Sequence, residues 1–333
     1  MPTVSVIVPV RNEADAIEAV LRALLTQDFP ANQFEVIVAD GGSDDETVPV
    51  VRRLQDEFAN LLLVFNPAGL SSAGRNTAIR HMSGEFAVIV DGHCVIPDRQ
   101  YLRNLVDAFE TSGADCLGRP QPLDAPSAST FQRAVSVARA SRLGHNPGSD
   151  IYSDTPKFVE PQSTAVAYRR GVFQTVGLFD ERFDACEDVE FNHRVHVAGL
   201  TCYFAPVLKV LYHPRGSFPA LFRQLGRYGR GRARLAAKHT DSLTLPALVP
   251  PLWLVWLVIG AVFAVTLPGF GWLYVVSVGL YLTVVLGASA WLGRGQSVAV
   301  RTQIPAVFVG IHAGFGWGFL REASRQLALR AAR

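Results

Sequence analysis

A doubly wound α/β domain with a mostly parallel sheet, followed by a membrane helical region, is the fold class that this chain of 333 residues predicts. Three observations predict it. Short apolar runs alternate with helix-period stretches from Val4 to Val90, the mark of βαβ units. Two of the runs end directly in an acid, Asp40 after Phe34–Ala39 and Asp91 after Phe86–Val90. Finally, Ser242 to Gly293 holds no charged residue, well beyond the roughly 20 apolar residues that one span needs.

Val4–Val10 is apolar except for Ser5 and Pro9, as a strand buried on both faces requires. In Ala14–Leu25 the residues Ile17, Val20, Leu21, Leu24 and Leu25 recur at helical spacing. Phe34–Ala39 is the second strand. A helix is expected to begin within Asp44-Asp45-Glu46-Thr47, its acids in the first turn where the dipole favours them, and to carry Val50, Val51, Leu54 and Phe58. Leu61–Phe65 is a third strand, Ser71–His81 a helix and Phe86–Val90 a fourth strand. Tyr101–Glu110 is helical and Ala114–Gly118 extended. Asp124 to Lys157 is rich in Ser, Ala, Gly and Pro, with one helix around Thr130–Arg142. Thr164–Tyr168 follows as a strand, Arg170–Val176 as a short helix, and Glu187–Ala198 as a helix whose apolar face includes Val189 and Val195.

Composition sets the outer limits. The net charge is only +2, which argues against a general polyanion binder, and no nucleic-acid partner is expected. The charge is nevertheless uneven. Between Glu190 and Asp241 there is no acid, yet the stretch carries Arg194, Lys209, Arg215, Arg223, Arg227, Arg230, Arg232, Arg234 and Lys238. Such a segment just ahead of a span suits an anionic cytoplasmic leaflet. The cysteines Cys94, Cys116, Cys186 and Cys202 have no metal-type spacing and suit a reducing compartment. The amino terminus enters a strand pattern at once, so no signal peptide is expected. These features divide the chain into an α/β domain at 1–220, a basic amphipathic interface helix at 221–243 and a membrane domain at 244–333.

Pro268-Gly269-Phe270-Gly271 splits the uncharged region into spans near Ala247–Leu267 and Trp272–Leu292. A third apolar segment, Ile304–Leu320, is shorter, Gly-rich and interrupted by His312. Two readings of it stand. As a full span it would export Arg321, Arg325, Arg330 and Arg333, against the positive-inside tendency; as a re-entrant or interfacial helix it would not. Length favours the span, since about 19 uncharged residues separate Arg301 from Arg321, and three spans are the expectation.

The chemistry-bearing residues come in a fixed order: Asp40, Asp91-Gly92-His93, Glu187-Asp188 and Gln224-x-x-Arg227-Tyr228. An acid at the carboxyl end of a buried parallel strand lies at the mouth of the sheet, where open α/β folds bind ligands. Any one such acid also makes an ordinary turn or cap residue; the ordered set is harder to explain that way. Asp91 and His93 flank a glycine that permits close backbone approach, so both can face one cation or one diphosphate. Gln224, Arg227 and Tyr228 lie at i, i+3 and i+4 on one helix face and can cover a diphosphate. The same residues also suit an interfacial helix with snorkelling arginines, and both readings can hold. No G-x-G-x-x-G follows the first strand, which argues against a dinucleotide-binding dehydrogenase.

Val4-Ser5-Val6-Ile7-Val8-Pro9-Val10-Arg11-Asn12-Glu13, Ala39-Asp40-Gly41-Gly42-Ser43-Asp44-Asp45-Glu46-Thr47, Gly74-Arg75-Asn76, Asp91-Gly92-His93, Phe179-Asp180-Glu181, Glu187-Asp188 and Gln224-x-x-Arg227-Tyr228 together resemble the family-2 glycosyltransferases of the GT-A fold. The wording is most similar to that of the membrane-attached succinoglycan-type exopolysaccharide glucosyltransferases. The resemblance implies a metal-binding Asp-x-Asp element, here Asp91 and His93, and a divalent ion, Mn²⁺ or Mg²⁺; a neutral imidazole suits Mn²⁺ better. It implies Asp188 as general base with Glu187 helping to position the acceptor or Asp188, and Pro9, Arg11, Glu13 and Asp40 at the nucleotide end. There Asp40 would accept from a uracil N–H and Glu13 would hold ribose hydroxyls, while Arg75 reaches a phosphate. Gln224, Arg227 and Tyr228 would meet the diphosphate, Tyr228 standing where the family usually has Trp. The implied activity is inverting transfer from a UDP-sugar, UDP-glucose foremost, to a polyprenyl-diphosphate-linked saccharide or another lipid-linked acceptor. The catalytic domain would lie on the cytoplasmic side of the inner membrane. The alternative is a non-catalytic membrane scaffold or nucleotide-binding protein with a degenerate transferase domain.

Overall fold

The computed structural model describes residues 3–123, 128–146 and 148–331. Asp124, at the head of the Ser/Ala/Gly/Pro-rich stretch, and Arg333 lie outside the described residues. The chain forms two compact units, one of Met1–Pro122 with Gly148–Tyr212, the other of Leu123–Pro147 with His213–Arg333.

The first unit opens with β1 (Val4–Val10), α1 (Ile17–Leu25), β2 (Phe34–Asp40), α2 (Thr47–Glu57), β3 (Leu61–Phe65), α3 (Ser71–His81) and β4 (Phe86–Ile89). Then come β5 (Cys94–Val95), α4 (Tyr101–Ser112) and β6 (Cys116–Gly118), before α5 (Thr130–Arg139) of the second unit. The first unit resumes with β7 (Lys157–Val159), α6 (Pro161–Thr164), β8 (Ala165–Arg169), α7 (Arg170–Val176), α8 (Glu187–Val197), β9 (Cys202–Phe204) and β10 (Leu211–Tyr212). An eight-stranded sheet has the order β3-β2-β1-β4-β8-β6-β9-β7, and β10 pairs with β5 in a small antiparallel ribbon. The first four strands are parallel, β8 is antiparallel to both β4 and β6, and β6 runs parallel to β9. This is a mostly parallel, mixed sheet with helices on both faces.

Residue alternation along β1 assigns those faces. Val4, Val6, Val8 and Val10 turn toward a core that includes Leu21 of α1, Leu54 of α2 and Leu105 of α4. Ile7 turns the other way, into a core with Ile79 of α3, Phe173 of α7 and Phe191 of α8. Burial on both sides explains the unbroken apolar wording of these strands.

Two local expectations need correction. The acids of Asp44-Asp45-Glu46 precede α2 instead of occupying its first turn. Asp45 accepts the Thr47 amide at 2.9 Å and the Ala14 amide at 3.1 Å, so its carboxylate ties the loop after β1 to the start of α2. In α8 the buried face is largely polar, comprising Glu187, Glu190, Phe191, Asn192, His193 and Val195, while Val189 is only half-buried. The polar groups turn inward because they have partners there: Glu190 meets Arg194 at 3.0 Å and Asn192 accepts the Tyr168 hydroxyl at 2.8 Å.

The second unit comprises α5, α9 (Phe218–Lys238), α10 (Leu245–Thr266), α11 (Phe270–Leu292), α12 (Val298–Arg301) and α13 (Ile304–Ala331). Ala134, Val135 and Ala138 bring α5 into one apolar cluster with Leu221, Val285, Ile304 and Phe308, which is why Leu123–Pro147 groups with the C-terminal helices. Among the described residues, α10, α11 and the α12–α13 segment are long and apolar enough to cross a membrane. The last differs from the others. Its most apolar stretch is 39% buried, against 11% for each of the first two.

Candidate active site

The carboxyl ends of β1, β2 and β4 converge, as the parallel pairing of Val10 with Asp40 and of Ile7 with Ile89 dictates. Asp40 is only 5% exposed. Its carboxylate accepts the Gly42 amide at 3.0 Å and the Ser43 hydroxyl at 2.6 Å, so much of its capacity is spent on its own turn. Asn12, in the left-handed region at φ 57°, donates its amide to Ser43 Oγ at 2.9 Å and accepts the Asp44 amide at 3.0 Å, linking the loops after β1 and β2. Pro9 is half-buried within β1, and the exposed Arg11 extends its guanidinium toward Gly69.

Glu13 and His93 meet directly. Glu13 Oε1 lies 2.9 Å from His93 Nδ1. A carboxylate on one ring nitrogen fixes the tautomer and aims the other, Nε2, outward, an arrangement typical of metal-ligating histidines. Asp91 Oδ2 accepts the Tyr212 hydroxyl at 2.7 Å. Burial alone would raise the Asp91 carboxyl. The field of Arg75, the Tyr212 bond, His93 and Arg119 outweigh it and hold the group below the ordinary carboxylate range. A divalent ion fits these donors: one ionised carboxylate and one oriented imidazole around a glycine with no room for a side chain. A methyl group on Gly92 would lie 2.9 Å from Val10 Cγ1.

Arg75 joins the parts. It projects from α3 into the interior at 8% exposure, over the Phe179 ring at 5.3 Å, with Nη2 at 3.4 Å from Glu187 Oε1. Burial would lower its pKa, but Glu187, Asp188 and Asp91 more than compensate and raise it. Its Nε and Nη1 are buried and have no hydrogen-bond partner among the described residues. Buried guanidinium donors without acceptors are costly, and an anion would satisfy them.

The two acids of Glu187-Asp188 separate. Glu187 is 8% exposed and faces Arg75; Asp188 is exposed in the first turn of α8. Cys186, left-handed at φ 59°, turns the chain into the helix and so sets this division. Gln224, Arg227 and Tyr228 belong to the second unit, on α9. Gln224 Nε2 donates to the Tyr228 hydroxyl at 3.3 Å, so these two side chains meet on α9, and Arg139 of α5 stacks over the Tyr228 ring at 5.7 Å.

Sequence reasoning missed two residues, the half-buried Tyr212 and the buried Arg119. Tyr212 has no motif to mark it; it reaches Asp91 because β10 pairs with β5, setting Tyr212 opposite Cys94. Arg119, at 1% exposure, donates to the Tyr101 hydroxyl and, at 3.0 Å, to the Ile89 carbonyl. Its signal was a cation directly after an apolar run, in Leu117-Gly118-Arg119. Burial pushes the thiol of Cys94, beside His93, up to about 12, which disfavours the thiolate.

The family model "Glycosyltransferase like family 2" matches residues 2–231. The chain is 31% identical over 319 residues to the succinoglycan biosynthesis protein ExoA of Rhizobium meliloti, covering 95% of this chain and 94% of the relative. It is 29% identical over 256 residues to the glycosyltransferase AglE of Haloferax volcanii, covering 75% and 81%. Among solved structures, the mannosyltransferase PcManGT of Pyrobaculum calidifontis, in complex with GDP-Man and Mn²⁺, superposes with a TM-score of 0.63 at 21% identity, over 95% of this chain and 87% of that one. That likeness shows the fold, a mixed sheet of the GT-A kind.

Proposed function

Because the chain belongs to the family-2 glycosyltransferases, we propose that it moves a hexose, glucose foremost, from a UDP-sugar to a polyprenyl-diphosphate-linked saccharide with inversion at the anomeric carbon. The observation that carries this reading is the division within the acidic pair: Glu187 is sunk against Arg75, and Asp188 beside it is open to solvent. As the acceptor oxygen attacks the anomeric carbon, Asp188 takes its proton. The bond to the nucleotide breaks with its electron pair on the departing phosphate oxygen. Arg75 offers its unpartnered donors to the diphosphate; for Gln224, Arg227 and Tyr228 a diphosphate role rests on the family resemblance.

Asp91 and His93 would hold a divalent ion, Mn²⁺ or Mg²⁺, which when bound offsets diphosphate charge. The mannosyltransferase solved with Mn²⁺ supports this. Pro9, Arg11, Glu13 and Asp40 form the nucleotide end. ExoA, named for succinoglycan biosynthesis, supports an acceptor in cell-surface polysaccharide assembly, and the apolar helices support a lipid-linked one. The catalytic unit faces the cytoplasm of the inner membrane, since the basic Arg223–Lys238 stretch precedes the first apolar helix.

The test is to incubate membranes containing the protein with labelled UDP-sugars and a lipid extract. Label should enter the lipid fraction from a UDP-hexose. Transfer from a GDP-sugar or a lipid-linked sugar, with none from any UDP-sugar, would overturn the donor assignment.

A further inference from the structure

We infer that the chain crosses the membrane twice, and that α13, although long and apolar enough to span, lies beside α9 at the headgroup level of the bilayer. Three observations within the second unit carry this.

The first is the way α9 and α13 run in step and in the same direction. A methyl group on Gly310 would lie 2.8 Å from the Phe218 ring, and one on Gly314 would lie 2.8 Å from the Phe222 carbonyl oxygen. One on Gly318 would collide with the Gly226 oxygen, and one on Gly229 with the Phe315 oxygen. Further along, Arg234 Nε meets Glu322 Oε1 at 3.1 Å, and Arg330 Nη2 donates to the Ala237 carbonyl at 2.9 Å. Contact thus runs from the first residue of α9 almost to its last, backbone against backbone where glycines leave room. Whatever depth α13 takes, α9 takes too.

The second is charge. Along its length α9 carries Arg223, Arg227, Arg230, Arg232, Arg234 and Lys238. Standing α13 across the hydrocarbon would carry the middle arginines of α9 into it, which is strongly unfavourable. Glu322, 3% exposed and bonded to Arg234, is likewise an acid set for the membrane surface.

The third is where α13 touches the α10–α11 hairpin. A methyl group on Gly316 would lie 2.7 Å from the Pro250 oxygen and 2.9 Å from Leu254 Cδ1. His312 Nδ1 lies 3.0 Å from the Tyr281 hydroxyl, and Phe308 and Ile311 cluster with Val285, Ala288 and Leu292. Pro250 and Leu254 belong to the first half of α10, Val285 to Leu292 to the second half of α11, and Tyr281 is the middle residue of α11. From that midpoint outward these contacts lie on the same half of the hairpin, the one away from its turn at Pro268. A third span would run alongside the hairpin to that turn. Instead α13 crosses its open half, and its exposed Trp317 suits an interfacial depth. Arg321, Arg325 and Arg330 then stay on the side of α9, and the positive-inside conflict disappears.

The test places Pro268→Cys and Ser324→Cys separately in the full chain and reads labelling by a membrane-impermeant maleimide, after subtracting the label on the unsubstituted protein. Pro268→Cys should react in intact spheroplasts, and Ser324→Cys only in inverted vesicles. Reaction of Ser324→Cys in intact spheroplasts would overturn the inference. If that position labels from neither side, a carboxy-terminal fusion to the otherwise natural chain decides: cytoplasmic fluorescent-protein signal supports two spans, and active periplasmic alkaline phosphatase refutes them. None of these readouts depends on sugar transfer.

Discussion

Arg75→Met strips Glu187 of the guanidinium that neutralises it. Both side chains are nearly buried, at 9% and 10% exposure, and Glu187 would be left as an uncompensated charge. Removing one partner of a buried pair costs about 3–5 kcal/mol. In a domain of this size each kcal/mol moves Tm by about 2–4 °C, so the single variant should lose about 6–20 °C. The intact pair itself is worth little, because burying two ions offsets most of their attraction. Arg75→Met combined with Glu187→Gln should therefore recover most of the loss and sit much nearer the natural protein than Arg75→Met alone. Thermal unfolding in detergent of the natural protein, both single variants and the double variant closes the cycle. Additive losses, with the double variant at the sum of the singles, would refute the reasoning. So would an unchanged Tm for Arg75→Met. Stability is the right quantity to follow, because Arg75 also holds Asp91 ionised and turnover would fall for that reason as well.

Asp188→Asn should retain donor binding while kcat falls roughly 10²–10⁴-fold, the scale of a positioned base; near-normal turnover would move the base elsewhere. Tyr212→Phe removes the 2.7 Å bond to Asp91 and should raise the Mn²⁺ concentration for half-maximal activity by about 10–100-fold, with much of the turnover restored at saturating metal. A turnover defect that metal does not relieve would give Tyr212 a different role. Gly92→Ala forces a methyl group against Val10 Cγ1 at 2.9 Å and should cost about 1–3 kcal/mol in unfolding. Val10→Ala in the same chain should return part of that loss, and a failure to do so would point to backbone displacement.

How much of this was legible in the sequence followed the range of the forces. β1, β3, α3 and α7 begin and end where apolar runs and helical periodicity put them; for β1 the reason is burial on both faces of a parallel sheet, which writes itself directly into consecutive residues. The start of α2 did not follow the rule that acids enter the first turn, since Asp45 has a better partner in the Ala14 amide, 31 residues away. Tyr212 was invisible because it reaches Asp91 through strand pairing that no local spacing reports, and the cation after Leu117-Gly118 did not by itself reveal that Arg119 is buried against the Ile89 carbonyl. Likewise, a hydropathy count sees the 17 residues Ile304–Leu320 and not the glycines that fit them to α9.

The acidic pair shows why the ordered motifs are informative although each is weak alone. Gly74-Arg75-Asn76 and Phe179-Asp180-Glu181 stand 103 residues apart between Asn76 and Phe179, yet they form one object. Asn76 Nδ2 donates to the Phe179 carbonyl and to Glu181 Oε1, each at 2.8 Å, and its Oδ1 accepts the Phe179 amide at 2.8 Å. Ser72 Oγ, one turn earlier on α3, donates to the Phe183 carbonyl at 2.9 Å. The chain from Phe179 to Cys186 is thereby pinned to α3, and the left-handed turn at Cys186 delivers Glu187 to Arg75, one turn along the same helix face. Asp188 is exposed because Glu187 is held, and Glu187 is held because Asn76 and Ser72 fix the approach. Substituting any of the anchors should shift Asp188, the proposed base, without touching it, which is why residues with no chemistry of their own are part of the pattern.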